Sequence, residues 1–447
     1  GISRANEALR VIANADSTVK DTLQSKVAEA RFVRALFYFD LKIHHKWIPW
    51  IDETLSQEQI LTTGNRDLTD QQLWDKIAED FRFAVNNLPD VQKDVGRASA
   101  LSAKALLAKT LLYQAYEQDE QHNVIAINTD KLNEVVRLVT EVEQSNVYNL
   151  HDDYAKNFLV EYENGVESVF AIQRSLNDGS PDGRGNWASA LNAPQSGGFG
   201  CCGFHVPTEN FVNAFKTGAD GLPLFETGNN AIYNKDTDAV DPRLDHTVAM
   251  EGKPFKYDAN LIHGGDSWSR APAISGNYTG MKDLEHPDCD CRGENGPFPI
   301  FSLNTVLVRF SDVLLWKAEA LIELDRMNEA VPIINRLRQR AAASTARLHN
   351  ASIYRIGQYS AFNSKDEARQ ALRWERRLEL GLEGHRFFDL VRWGIAKESL
   401  DQYFLIEKGR KPYLQSAHFT KNKHEYLPIP NLQINLSGGL YIQNPGY

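Results

Sequence analysis

Apolar positions recur with helical spacing at both ends of the chain and lose that phase in the middle. Phe32, Ala35, Leu36, Phe39 and Ile43 follow the i, i+3, i+4, i+7 pattern of one buried helix face, and residues 1–12 read as the middle of a helix. A second helix is predicted from Thr69 to Leu88. There Thr69 and Gln72 form a capping box, and Asn86-Asn-Leu-Pro89 is a stop. Residues 97–117 supply an alanine-rich partner whose small side chains permit close packing. From Asp312 to Arg340, Leu314, Ala318, Leu321 and Leu324 mark one helix and Ala330, Ile334 and Leu337 the next, with a turn near Asp325–Asn328. Pro332 falls in the first turn of that second helix if Asn328 caps it, where a missing N–H costs little. Ser364 and Glu367 cap a further helix. Between about residues 177 and 304, Gly, Pro, Asn and Asp dominate, apart from a short stretch capped by Thr208 and running to Phe215. Long irregular segments in a compact protein usually carry function, so the ligand site is expected there.

The last of these helices leads into Arg373-Trp-Glu-Arg-Arg-Leu-Glu-Leu-Gly-Leu-Glu-Gly-His-Arg-Phe-Phe-Asp-Leu-Val-Arg-Trp393. Charged side chains so mixed with large apolar ones are not a solvated face, and buried charges must be paired. The run is read as a helix hairpin hinged at Gly384, in which Glu375, Arg376, Arg377, Glu379, Glu383, Arg386 and Asp389 answer one another. A carboxylate set of this kind invites a glycosidase reading, which needs one acid of raised pKa. Neighbouring arginines keep these acids ionised, so a structural role is favoured.

This run closely resembles the signature of the SusD/RagB family, nutrient-binding lipoproteins of the Bacteroidota outer membrane. The resemblance extends to Ala28–Phe39 followed by Ile48-Pro49, to Gly96-Arg-Ala98 leading into Ala103–Leu112, to Asp241-Pro-Arg-Leu244, to Tyr426-Leu-Pro-Ile-Pro430 and to the closing Gln443-Asn-Pro-Gly-Tyr447. It implies a mostly α-helical SusD-like fold of tetratricopeptide-like helix hairpins, stacked because each leaves an apolar face uncovered, with a large irregular loop-rich insertion. It favours a single SusD-like domain over residues 1–447, with 1–176 and 305–447 as helical scaffold and 177–304 as the ligand-facing region. In the family a leader, a lipid-bearing cysteine and more helix precede such a start, so an N-terminal truncation is expected, with membrane attachment through the lipid anchor of the absent part. The resemblance further implies an outer-membrane, cell-surface location and no enzymatic activity. It names a SusC-type TonB-dependent transporter as partner, with an oligosaccharide as cargo; a peptide, as in RagB-like importers, is the alternative, and a transporter-gating part without affinity of its own a third reading.

The chain has 447 residues, 42% hydrophobic and 24% charged, with a formal net charge of −10. That is ordinary core-forming composition, and the acidic balance without a basic stripe argues against nucleic acid. Phosphate-loop, His-Glu-x-x-His and Gly-x-Ser-x-Gly motifs are absent from the sequence, and no cofactor is expected. Of eight tryptophans, Trp74, Trp316, Trp374 and Trp393 fall inside helical patterns and are read as core. Trp47, Trp50, Trp187 and Trp268 lie in turns or loops. Each either pins its loop to the core or offers a face to a sugar ring while nearby polar groups bind hydroxyls. The family resemblance favours Trp47 and Trp50, although Lys46-Trp47 stands where relatives usually have Gly before the hydrophobic-Pro pair. Asn186, Trp187, Asp266, Trp268, Arg270 and Tyr278 form the second candidate set. Cys201, Cys202, Cys289 and Cys291 lack the spacing of zinc ribbons. Two disulfides joining the two loops are expected, with a metal site and free thiols as the other readings.

Overall fold

The computed structural model describes every residue except 17, 19, 20 and 181–183. Backbone contacts divide the chain into two compact units, one of residues 1–145, 387–401 and 418–447, the other of residues 146–386 and 402–417. The limits 176/177 and 304/305 drawn from the sequence both lie inside the second unit.

The first unit is a succession of helices: α1 (Ile2–Ala13), α2 (Gln24–His45), α3 (Asp70–Asn87), α4 (Ala100–Ala115) and α5 (Thr129–Gln144). Each packs on the next. The expected face of α2 is buried through Phe32, Ala35 and Phe39, and Phe32 meets Phe81 of α3 edge to face at 5.6 Å. The capping box at α3 forms as anticipated: Gln72 N–H donates to Thr69 Oγ1 at 3.2 Å and Thr69 N–H to Gln72 Oε1 at 2.9 Å. Helix α4 is buried on nearly all sides, which is why its pattern is alanine-rich rather than amphipathic. It ends at Ala115, two residues earlier than expected, because Tyr116–Gln118 pairs as a short strand with Val124–Ile127.

In the second unit the named elements are β1 (Ser168–Ile172), α6 (Trp187–Asn192), α7 (Glu209–Asn213), β2 (Arg292–Asn295), β3 (Phe298–Phe301), β4 (Thr305–Arg309), α8 (Phe310–Glu323), α9 (Met327–Ala343) and α10 (Lys365–Glu379). Strands β1 and β4 pair antiparallel, as do β2 and β3. Among the described residues every sheet has two strands, so helices α8, α9 and α10 carry the packing of this unit. The sequence reading of α9 needs one correction. Arg326, not Asn328, is its N-cap, and Pro332 lies inside the helix. The Asn328 side chain instead accepts the N–H of Phe362 at 3.0 Å. After α10 the chain turns through Gly384, at φ 83°, before resuming as a helix at Arg386, the hinge expected there. Residues 177–304 are largely irregular, with helices of six residues or fewer. Among the described residues no helix is long and apolar enough to cross a membrane.

Candidate functional site

Helix α10 brings the signature carboxylates into a buried lattice of opposite charge. Arg243 Nη1 donates to Glu375 at 2.6 Å and to Glu379 at 2.9 Å, while its Nη2 donates to Asp241 at 2.7 Å. Arg309, at the end of β4, donates to Glu167 at 2.7 Å, Glu379 at 3.1 Å and Glu383 at 2.8 Å. Arg340 reaches Glu167 at 2.9 Å and Glu379 at 2.5 Å, Arg338 reaches Glu375 at 3.2 Å, and Lys282 reaches Glu383 at 2.6 Å. Five acids thus face five bases. The arrangement differs from the expected one, in which the run answered itself. Its partners come from distant segments, because one face of α10 projects Glu375 and Glu379, four residues apart, into the packing with α8 and α9. Arg376 likewise turns to Asp312 of α8 at 2.7 Å. Asp389 pairs within the run, with Arg392 at 2.9 Å. Arg377 donates to the Asn210 carbonyl at 3.3 Å, and Arg386 to that of Arg373 at 3.4 Å.

Burial raises the carboxyl pKa of Glu383, but Arg309 and Lys282 outweigh it and hold the group down to about 2. Against the same burial cost, Arg340, Arg309 and Arg243 keep Glu379 well below the carboxylate range. Neither acid is a proton donor near neutral pH, which a glycosidase pair requires. The lattice fixes α8, α9 and α10 together.

The surface candidates separate into core and face. Trp187 and Leu191, one turn apart on α6, are 44% and 42% exposed. The indole meets Phe298 edge to face at 6.0 Å. Phe204, 49% exposed, donates its N–H to the Leu191 carbonyl at 2.9 Å, and the exposed Arg270 guanidinium lies 4.6 Å from its ring centre. Trp187, Leu191, Phe204 and Arg270 are all exposed, and the backbone bond between Phe204 and Leu191 holds the Phe204 loop beside α6. Asn186 is buried and caps α6, accepting the Ala188 N–H at 3.0 Å and donating to the Leu303 carbonyl at 3.1 Å. Trp268 is only 5% exposed and packs with Phe255 and His263; a Cβ at Gly197 would meet its ring at 2.2 Å. Tyr278 packs against the cluster around Val212, Phe215 and Leu244, and burial pushes its hydroxyl up to about 12. Asp266 is exposed and accepts from Asn277 at 3.0 Å.

In the first unit, Trp47 is 6% exposed, with the Arg66 guanidinium 4.2 Å from its ring centre, so it presents no stacking face. Trp50 is half-buried, stacked on Tyr38 at 4.2 Å, and its indole N–H donates to Asp52 at 3.1 Å. Phe204, Leu191 and Phe298 escape a sequence reading that looks for tryptophan or tyrosine beside polar loop residues, since a phenylalanine or leucine is more often core. The available signal was Phe204 within Gly203-Phe-His205, an aromatic in a loop with no apolar period to bury it.

The cysteine pairing also differs from expectation. Cys201 bonds to Cys202 and Cys289 to Cys291. The two loops do approach, with Arg292 Nη1 donating to the Gly198 carbonyl at 2.7 Å. Each sulfur nevertheless has its nearest partner within its own turn, and the loops are joined by that hydrogen bond and by shared apolar packing.

Comparison with known proteins agrees with this architecture. A SusD-like protein of Formosa agariphila is 26% identical, over 97% of this chain and 75% of that protein. A laminarin-binding SusD-like protein superposes with a TM-score of 0.66 at 23% identity, covering 100% of this chain and 84% of that one. A structure solved with xylogluco-oligosaccharide gives a TM-score of 0.70 at 20% identity, covering 98% and 85%. The sequence model of the SusD family matches residues 166–447, more than half of the chain, which therefore belongs to the SusD family.

Proposed function

We propose that this protein captures an oligosaccharide at the cell surface and passes it to a TonB-dependent outer-membrane transporter of the SusC type, without chemistry of its own. The observation that carries the reading is the exposure of Trp187 and Leu191 on α6 and of Phe204 in the loop bonded to it, with Arg270 laid on Phe204. A pyranose ring packs its C–H face on an aromatic plane while a guanidinium binds its hydroxyls. The structural neighbours named for laminarin and for xylogluco-oligosaccharide favour a glycan over a peptide. The low carboxyl pKa values of Glu379 and Glu383 leave neither of them as the proton donor a glycosidase pair requires. Partnership with the transporter and a lipid anchor in the outer membrane rest on membership of the SusD family.

Calorimetry of the chain against laminari-oligosaccharides, xylogluco-oligosaccharides and unrelated peptides tests the reading. Saturable heat with a glycan and none with peptides is expected. Peptide binding alone transfers the assignment to a peptide importer, and no binding at all leaves a gating role at the transporter.

A further inference from the structure

On α10, Arg377 stands two residues from both Glu375 and Glu379, so helical geometry turns it to the side of the helix away from the charge lattice. It is partly exposed there. Its Nη2 donates to the Asn210 carbonyl at 3.3 Å and also to Asn210 Oδ1, and its guanidinium lies 5.2 Å from the centre of the Trp374 ring. Its Nε and Nη1 have no protein acceptor, and among the described residues no carboxylate pairs with it. Arg243, Arg309, Arg338 and Arg340, by contrast, each meet at least one acid. The acids beside its neighbours are committed elsewhere. Glu407, one turn on from Tyr403, accepts from Arg410 Nη1 at 2.9 Å, and Glu209, the residue before Asn210, is raised by burial and drawn chiefly to the same Arg410.

The charge that does reach Arg377 is of its own sign. Burial first, and then the nearby Arg386, bring its pKa down to about 9, opposed only by Tyr403. A side chain needed only to hold Asn210 would use Nη2 and could be a neutral amide, without the cost of an unpaired charge taken partly out of water. Two guanidiniums that repel each other beside a phenol are instead the parts of an oxyanion site, where the anion cancels the repulsion and accepts the spare N–H groups. Arg377, Arg386 and Tyr403 are all partly exposed, so such a ligand can reach them from solvent. We propose that these three residues bind an oxyanion: the carboxylate or sulfate group of an acidic saccharide, or the same group as a free ion. Arg377 donates the N–H groups that Asn210 does not use, Tyr403 donates its hydroxyl, and Arg386 supplies the second charge. The anion site stands without the glycan reading, on which only its saccharide source rests.

The test is labelling of the 447-residue chain with phenylglyoxal, an arginine-specific reagent, read at Arg377 by peptide mass mapping. The probes are tri-galacturonate, sodium sulfate and neutral laminaritriose at matched ionic strength, and the exposed Arg355 is the internal control. Arg377 is expected to label, and tri-galacturonate or sulfate to slow that labelling saturably while laminaritriose leaves it unchanged. Protection by tri-galacturonate alone assigns the saccharide as the source, and protection by sulfate alone assigns the free ion. Tyr403→Phe, which leaves the bonds to Asn210 in place, should weaken the protection by about tenfold with an unchanged thermal midpoint. An Arg377 that does not label, or that labels at the same rate with either anion, overturns the proposal. So does equal slowing at Arg355, equal protection by laminaritriose, or parent-like protection in Tyr403→Phe. Calorimetry with laminari-oligosaccharides on the same sample reads the glycan proposal separately.

Discussion

Arg243 Nη1 donates to Glu375 Oε1 at 2.6 Å across 132 residues of sequence, with both side chains buried. The contact joins the Asp241-Pro-Arg-Leu244 turn to the signature helix, and it explains why two motifs so far apart in the chain occur in one protein. A buried ion pair adds little net stability over an apolar pair, but stranding one partner costs much more.

Arg243→Ala should therefore destabilise the second unit by roughly 3 to 5 kcal/mol, since Asp241, Glu375 and Glu379 all lose a partner. Thermal or denaturant unfolding followed by circular dichroism measures this. A midpoint equal to that of the parent protein rejects the lattice as a structural element.

Acid should act on the same lattice. Glu383 and Glu379 have folded-state pKa values below those of the unfolded chain, so their contribution is fully present above the unfolded value of about 4.3. It is lost as pH falls through the folded values, beginning below about 4.3 and continuing to about 2 for Glu383. Thermal midpoints measured from neutral pH downward should hold until that point and then drop steeply. Glu383→Gln should flatten the drop, and a parallel curve for the variant contradicts the assignment.

The disulfide pattern gives a chemical prediction. Cleavage between residues 202 and 289 without reduction should release two separate fragments, each two hydrogens lighter than its reduced form, carrying Cys201–Cys202 and Cys289–Cys291. A cross-linked pair of fragments in the mass spectrum would restore the inter-loop pairing.

Trp268→Ala should behave as a core deletion. Its ring fills a cluster with Phe199, Phe255 and Phe301, so truncation is expected to cost about 3 to 5 kcal/mol of stability. Unfolding by denaturant checks it, and a loss below about 1 kcal/mol would mean that the site collapses or that the ring is not core.

The helices were legible because they announce themselves locally: the capping box at Thr69 and Gln72, the stop at Asn86-Asn-Leu-Pro89 and the cap at Ser364 all stand as read. The burial of Glu375, Arg376, Glu379 and Asp389 was also legible, while Arg377, Glu383 and Arg386 are only partly buried, and the partners were not legible, since Arg309 and Arg340 meet Glu379 through tertiary packing that no local spacing encodes. The same limit explains the tryptophans. Trp187 and Trp268 sit in similar polar loop sequence, yet α6 turns the first outward while Gly197, which has no side chain to obstruct it, lets the second lie against the core. Pro332 misled for a related reason. Its placement depended on Asn328 as a cap, and that side chain is taken by Phe362, a residue more than thirty positions away.

The most direct test of the account is calorimetric titration of Trp187→Ala with the glycan that the parent protein binds, alongside its thermal midpoint. The account predicts affinity weakened by about 1 to 3 kcal/mol, the loss of one aromatic anchor, with an unchanged midpoint because the ring is 44% exposed and its helix is capped independently by Asn186. Undiminished glycan affinity in that variant contradicts it.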